Sequence, residues 1–255
     1  MRFASLGSGS EGNALVVEVD ATRIMLDCGF GVRDTGYRLA HKKLSPEQIT
    51  AIVITHEHAD HLGGAASFAR KYGIPVWMTH GTFQVFRQQH EILPVVHIFD
   101  SHSRFSIDNI ELQPFPVPHD AREPAQFVFT DGKRRLGVLT DVGTVTQHII
   151  TMLSGCDALV LECNHDTQLL AQSSYPYGLK KRIAGQFGHL DNQTAATLLS
   201  QVGPASLQHL VAAHLSRQNN RPDLALGCLA GVLGDTPDWL GYADQEQGCD
   251  WRTLL

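Results

Sequence analysis

Apolar positions along this chain gather into short, β-branched runs separated by Gly, Pro, Asp and Asn. Ten of these runs have the length and bounds of strands: Arg2–Leu6, Asn13–Val19, Arg23–Leu26, Ala51–Thr55, Val76–Thr79, Ile110–Phe115, Gln126–Thr130, Leu136–Thr140, Ala158–Glu162 and His209–Ala213. Asp20-Ala21 and Asp131-Gly132 are short turns that predict antiparallel hairpins. Later in the chain a helical period takes over. Leu62–Tyr72, Asn192–Val202 and Pro222–Leu233 are each followed by a Gly, the residue that helix C-termini favour. Ser45-Pro46-Glu47-Gln48 has the form of a capping box, and Thr144-x-x-Gln147 predicts another helix start. Strands in series, then strands alternating with helices, predict an α/β sandwich of two mixed sheets with helices on the outer faces. No Pro/Ser-rich linker or repeat interrupts the pattern, so residues 1–255 read as a single domain.

Composition narrows the class. With 43% hydrophobic and 18% charged residues the chain is too apolar to be disordered. No apolar run approaches the ~20 residues that span a bilayer, and the start, MRFASLGSGSEGN, turns polar too early for a signal peptide. The expectation is a soluble cytoplasmic protein without a membrane partner. A net charge of −6 argues against broad adhesion to nucleic acid and leaves room only for a local basic patch. The five cysteines, at 28, 156, 163, 228 and 249, form no C-x-x-C pair and read as free buried thiols. Fourteen histidines are the anomaly, because several sit beside Asp in tight groups.

His56-Glu57-His58-Ala59-Asp60-His61 lies between a strand and a helix and gathers three imidazoles and two carboxylates in one loop. Histidines at i and i+2 of an extended segment project the same way, while Asp60 and His61 turn as the helix begins, which suits a second metal. This H-x-H-x-D-H segment resembles the signature of the metallo-β-lactamase-fold hydrolases at all four positions. The resemblance implies an αβ/βα sandwich carrying two divalent metals, Zn²⁺ or Mn²⁺. It also implies further site residues in chain order: Asp27 orienting the loop, then His119, Asp141 and His214 as ligands. One metal would take His56, His58 and His119, the other Asp60, His61 and His214, with Asp141 between them. Two adjacent cations lower the pKa of a shared water from ~15.7 to near 7, which means hydrolysis. The site type alone leaves esters, thioesters, lactams and phosphodiesters open.

Other segments bear on the substrate. His214-Leu215-Ser216-Arg217-Gln218-Asn219-Asn220 resembles the last motif of the family's phosphodiesterases. The segment Gly188-His189-Leu190-Asp191-Asn192 resembles the stretch where nucleases of that branch carry a histidine that protonates the leaving oxygen. With Leu6–Asn13, Glu162–Asp166 and Tyr175–Ile183, the chain looks like the YycJ/WalJ-type members, which are associated with 5′-to-3′ exonuclease action on double-stranded DNA. Cys163 and Asp191 depart from that pattern, standing where Ser is expected. The resemblance implies a nucleic-acid partner, DNA, with Asp60, Asp141 and His189 catalytic and Ser8, Lys180, Lys181, Arg182, Arg217 and Asn219 contacting substrate. Two other readings stay open: a glyoxalase II-like ester or thioester hydrolase, and a metal-stabilised binding module without catalysis. The Gly7–Gly12 loop reads either as an anion cradle or as a structural turn, and Lys180-Lys181-Arg182 either as a substrate patch or as a solvated helix face.

Overall fold

The computed structural model describes all 255 residues, Met1–Leu255. Strands β1 (Arg2–Gly7), β2 (Ala14–Val19), β3 (Thr22–Leu26), β4 (Ala51–Val53), β5 (Val76–Met78) and β6 (Val96–Ile98) form one sheet with the last strand of the chain, β14 (Cys249–Thr253), in the order β14-β1-β2-β3-β4-β5-β6. The second sheet holds β7 (Phe105–Ile107), β8 (Ile110–Pro116), β9 (Ala125–Thr130), β10 (Arg135–Leu139), β11 (Ala158–Glu162), β12 (His209–Ala213) and β13 (Leu240–Tyr242), ordered β13-β12-β11-β10-β9-β8-β7. Both are mixed. Antiparallel pairing runs through β14-β1-β2-β3 and β7-β8-β9-β10, and parallel pairing through β3-β4-β5-β6 and β10-β11-β12-β13.

The central strands, such as β2, β4, β9, β11 and β12, are buried on both faces, which is why they read as continuous apolar runs. In β2, Leu15 and Val17 enter the core between the sheets, where they meet Phe127, Phe129 and Val138, while Ala14 and Val16 face the outer layer. That outer layer is built by Leu39 of α1 (Val32–His41), Phe68 of α3 (Ala65–Tyr72) and Phe86 of α4 (His80–Gln89). Over the second sheet lie α5 (Gln147–Leu153), α8 (Asn192–Val202) and α9 (Pro222–Leu233), through Ile149, Leu199 and Leu229. Three short helices, α2 (Ala59–Leu62), α6 (Thr167–Gln172) and α7 (Tyr177–Ile183), lie in loops at one rim of the sandwich. The expected two-sheet sandwich with outer helices is the observed fold. No helix is long and apolar enough to cross a membrane.

Several expectations need correction. The helix expected over Leu62–Tyr72 is broken at Gly63-Gly64, where a side chain on Gly64 would collide with the Phe30 carbonyl, so chain-to-chain contact overrides the helical period. Thr144 does not open α5. Thr146 is its cap, and the Thr144 hydroxyl donates to the Gln186 carbonyl at 2.8 Å. Ala51–Thr55 ends as strand at Val53, and Thr79 caps α4 instead of extending β5. The strands without a sequence signal, β6, β7, β13 and β14, lie at or next to sheet ends, and three of them have only three residues.

Candidate active site

All the candidate ligands sit at one rim of the sandwich, where strands end and the chain turns. Asp27, Asp141 and His214 each follow a strand end in the left-handed region, with φ of 62°, 52° and 55°. Such backbone is uncommon for these residue types and is found where the surroundings fix it. Asp27 accepts from Thr55 N (2.8 Å), from the Thr55 hydroxyl, and from His61 Nδ1 (2.8 Å). One buried carboxylate thus ties the end of β3 to the histidine loop and turns His61 Nε2 toward the site, where Asn13 Nδ2 stands 3.2 Å from it. The Thr55 hydroxyl also stands 3.0 Å from His56 Nδ1, so both imidazoles are held from behind. Gly29 lets the next turn lie directly on the Asp60 carbonyl.

The second sheet brings its groups from separate loops. Glu162, the last residue of β11 and fully buried, accepts from Asp141 N and Val142 N (both 3.1 Å) and from Leu190 N (3.0 Å). Its Oε1 also meets His189 Nδ1 at 2.8 Å and His214 Nδ1 at 3.2 Å. His119 Nδ1 is 3.1 Å from the Gly188 carbonyl. The Ser8 hydroxyl accepts the backbone N–H of His214 at 2.9 Å.

The donor atoms converge as ligands of common cations would. His56 Nε2 and His119 Nε2 stand 3.0 and 3.3 Å from His58 Nδ1. A tetrahedral ion with metal–nitrogen bonds of about 2.0–2.1 Å sets its ligand atoms about 3.3–3.4 Å apart. Asp60 Oδ2 lies 3.5 Å from both His61 Nε2 and His214 Nε2. Asp141 Oδ2 is buried without a hydrogen bond although His61 Nε2 is 3.1 Å away, and Asp141 Oδ1 is 3.5 Å from His214 Nε2 and 3.9 Å from His119 Nε2. A buried carboxylate oxygen without a proton donor, facing imidazole nitrogens, fits a cation placed between them. His56, His58 and His119 form one potential ligand group and Asp60, His61 and His214 another. Asp141, Glu162, His189 and His214 form a further one, but Glu162 is already taken up by its hydrogen bonds.

The electrostatics agree with this chemistry. Burial and the neighbouring imidazoles push His56 well below its usual range, toward the neutral form that binds metal. For His214, burial acts downward, yet Asp141 and the hydrogen bonds to Asp60 and Glu162 raise it to about 10. The carboxylates therefore hold a strong negative field in a dry site, which favours any cation.

The remaining sequence-predicted residues divide. Asp60, Asp141, His189 and Arg182 line a cleft of about 390 Å³ at the cluster, and Arg182 pairs there with Asp120 at 2.6 Å. The structure places three of the expected substrate contacts, Ser8, Asn219 and Arg217, off the cleft. Ser8 is buried, its hydroxyl taken up by Asn13 and His214, so it positions the site from behind. Asn219 is wholly buried beneath the Ser216 hydroxyl, whereas Ser10 and Ser216 reach the cleft. Arg217, expected to face the reacting phosphate, is held outside by Glu11 and Glu246. Lys180 spends a proton on the Ala171 carbonyl, and Lys181 is exposed. In the Gly7–Gly12 loop, the N–H groups of Gly9 and Gly12 are bonded to Asn13 and Gly9, the structural reading of that turn. No sequence motif marks a role for Glu162, though it lies in the Glu162–Asp166 segment, or for Asp120 beside His119. An acid closing an otherwise apolar strand was the available signal for Glu162. All five cysteines are unpaired, with Cys228 only half-buried.

A family model for the beta-lactamase superfamily domain matches residues 22–215. The chain is 33% identical to exodeoxyribonuclease YycJ of Bacillus anthracis over 245 residues, covering 95% of this chain and 93% of that one. It is 31% identical to exodeoxyribonuclease WalJ of Streptococcus pneumoniae serotype 2 over 228 residues, 88% of this chain and 85% of that one. Among solved structures, the metallo-beta-lactamase fold protein YhfI from Bacillus subtilis superposes with a TM-score of 0.76, covering 98% of each chain at 14% identity.

Proposed function

The chain belongs to the beta-lactamase superfamily, and on that premise we propose that it is a two-metal nuclease that degrades DNA from the 5′ end. It is a metal-dependent hydrolase. Divalent cations, which we assign as Zn²⁺ or Mn²⁺, would supply a nucleophilic water at neutral pH and neutralise charge growing on the attacked phosphate. The grouping of donor atoms supports placing His56, His58 and His119 around one ion, Asp60, His61 and His214 around the other, and Asp141 between them.

The observation that carries the nuclease reading is the 2.8 Å contact between His189 Nδ1 and Glu162, with His189 on the cleft wall. Glu162 holds the ring by one nitrogen and leaves Nε2 to donate a proton to the departing oxygen. A sugar alkoxide needs that proton. A thiolate, the leaving group of a thioester, does not, because a thiol ionises near ~8.5. His189 raises its affinity for the proton through Glu162 and Asp141, against the opposing effect of burial. Arg182 offers positive charge at the cleft, and Asp120 orients it. We read residues 1–255 as one hydrolase domain, since both sheets share the inner core, and place it in the cytoplasm, where unpaired thiols persist.

The test is incubation of metal-reconstituted protein with single- and double-stranded DNA and RNA bearing 5′-phosphate or 5′-hydroxyl ends. The expected result is progressive shortening of DNA from its 5′ end. Thioester cleavage at kcat/KM above ~10⁴ M⁻¹s⁻¹, with no nuclease activity under Zn²⁺ or Mn²⁺, overturns it.

A further inference from the structure

The cleft has one wall unlike the rest. Three of the four hydrophobic residues in its lining, Tyr175, Leu179 and Ile183, come from the short segment that leads into and forms α7, the fourth being Ala59 of α2, while the opposite side is imidazole and carboxylate. Outside the cleft the same segment exposes two large rings, Tyr177 at 81% and Phe187 at 58% of their surface. Residues 167–190 contain no Asp or Glu but do contain Lys180, Lys181 and Arg182, in a chain whose net charge is −6. The segment is tied to the metal-binding loops by its main chain. The Phe187 carbonyl accepts from Asp120 N at 3.0 Å, and the Gly188 carbonyl meets His119 Nδ1. The main chain at Phe187 and Gly188 therefore keeps a defined position relative to the reacting centre.

A cleft of about 390 Å³ is at the small end of ligand sites and has room for one nucleotide, far less than a base-paired end. We propose that the α7 segment is a strand-separating wall: Tyr177 and Phe187 stack against the terminal base pair of a DNA duplex, and Tyr175 receives the freed base of the single strand that enters the cleft. The inference rests on the nuclease reading and specifies its substrate at the moment of cleavage as an unpaired strand end. The charge on the segment suits a polyanion, and aromatic faces stack on any base, so the wall would be indifferent to sequence. Unpairing costs least at a mismatched end, which makes end-pairing the variable that reports on the wall.

The experiment compares two duplexes of one sequence, one fully paired and one with three unpaired nucleotides at the 5′ end, using metal-loaded protein. The readout is the ratio of the initial rate on the unpaired end to that on the paired end. In the Tyr177→Ala/Phe187→Ala variant this ratio should rise about tenfold over wild type, and Tyr177→Phe/Phe187→Tyr should restore it, because the rings remain. Thermal melting checks that the exposed substitutions leave the fold intact. A ratio unchanged in the double alanine variant overturns the strand-separating wall while the nuclease reading stands. Failure of the wild-type protein to cut either duplex overturns the nuclease reading, and this inference with it.

Discussion

Each sheet sets a buried carboxylate at a strand end behind the imidazoles, and in both the next residue is a buried cysteine: Asp27-Cys28 after β3 and Glu162-Cys163 at the end of β11. The two carboxylates carry different loads. Asp27 fixes one imidazole, His61, and one neighbour, Thr55. Glu162 fixes two imidazoles, His189 and His214, and three backbone N–H groups from two loops. The reason lies in chain connectivity. The first sheet delivers four candidate ligands in one loop, His56 to His61, whose covalent geometry already limits their positions. The second delivers its groups from four separate segments, of which Glu162 registers those of Asp141, His189 and His214, while His119 is held by the Gly188 carbonyl. Electrostatics follow the same division. Burial raises the Asp27 carboxyl despite the charge of His61, whereas at Glu162 burial is outweighed by His189 and the hydrogen bonds, and its pKa falls to about 2.

The sharpest way to break this comparison is Glu162→Gln. It keeps the side-chain shape but removes the charge that orients both His214 and His189. Metal retention and proton donation should fail together, lowering kcat on DNA by about 10⁴-fold with metal loss visible by elemental analysis. A loss no greater than that of Asp27→Asn would show that the two carboxylates are equivalent. His189→Ala isolates one branch of the hub. It should keep both metals and lower kcat by about 10³-fold, with the deficit shrinking on a nitrophenyl phosphodiester whose leaving group needs no proton.

Asp27→Asn should cost about 10–100-fold in metal affinity, the usual effect of losing a partner behind a ligating histidine. Metal titration measures it, and the metal-saturated variant should regain most of its kcat because Asp27 holds His61 and Thr55 and has no contact with His189, the group assigned to protonate the leaving oxygen. The cysteines give the smallest effect. Cys28→Ser and Cys163→Ser should leave hydrolysis within a few-fold, since burial drives the Cys28 thiol up to about 12 and Cys163 higher still, which keeps both un-ionised. Stability should separate them. The new hydroxyl at 28 has Thr35 Oγ1 within reach, the wild-type sulfur being 3.9 Å from it, whereas Cys163 is packed in the apolar layer under α8. An unsatisfied buried hydroxyl costs about 1–3 kcal/mol, so thermal melting should place Tm of Cys163→Ser several degrees below that of Cys28→Ser.

What could be read without coordinates tracks the same asymmetry. Residues 56–61 are legible because the ligands are near neighbours in sequence, and the central strands because burial on both faces leaves an unbroken apolar run. His119, Asp141 and His214 are single residues beyond strand ends, and only the order in which the family's motifs occur marks them as candidates. Ser8 and Asn219 lie off the cleft their motifs border, because motif membership does not say which way a side chain turns. Their segments do border the cleft, but Ser10 and Ser216 reach it while Ser8 and Asn219 are buried behind.

By itself the sequence determined the sandwich class, the order of the site segments and the imidazole–carboxylate character of the site, because period, turn residues and local spacing are properties of the unfolded chain as much as of the folded one. Only the tertiary structure decided that Glu162 is the hub of the second sheet, that Arg217 is drawn away by Glu11 and Glu246, and that α7 supplies the apolar wall of the cleft. Each of these depends on groups tens to hundreds of residues apart meeting within about 3–4 Å. Such meetings are set by how the two sheets pack and where their loops close, and no local pattern carries that information.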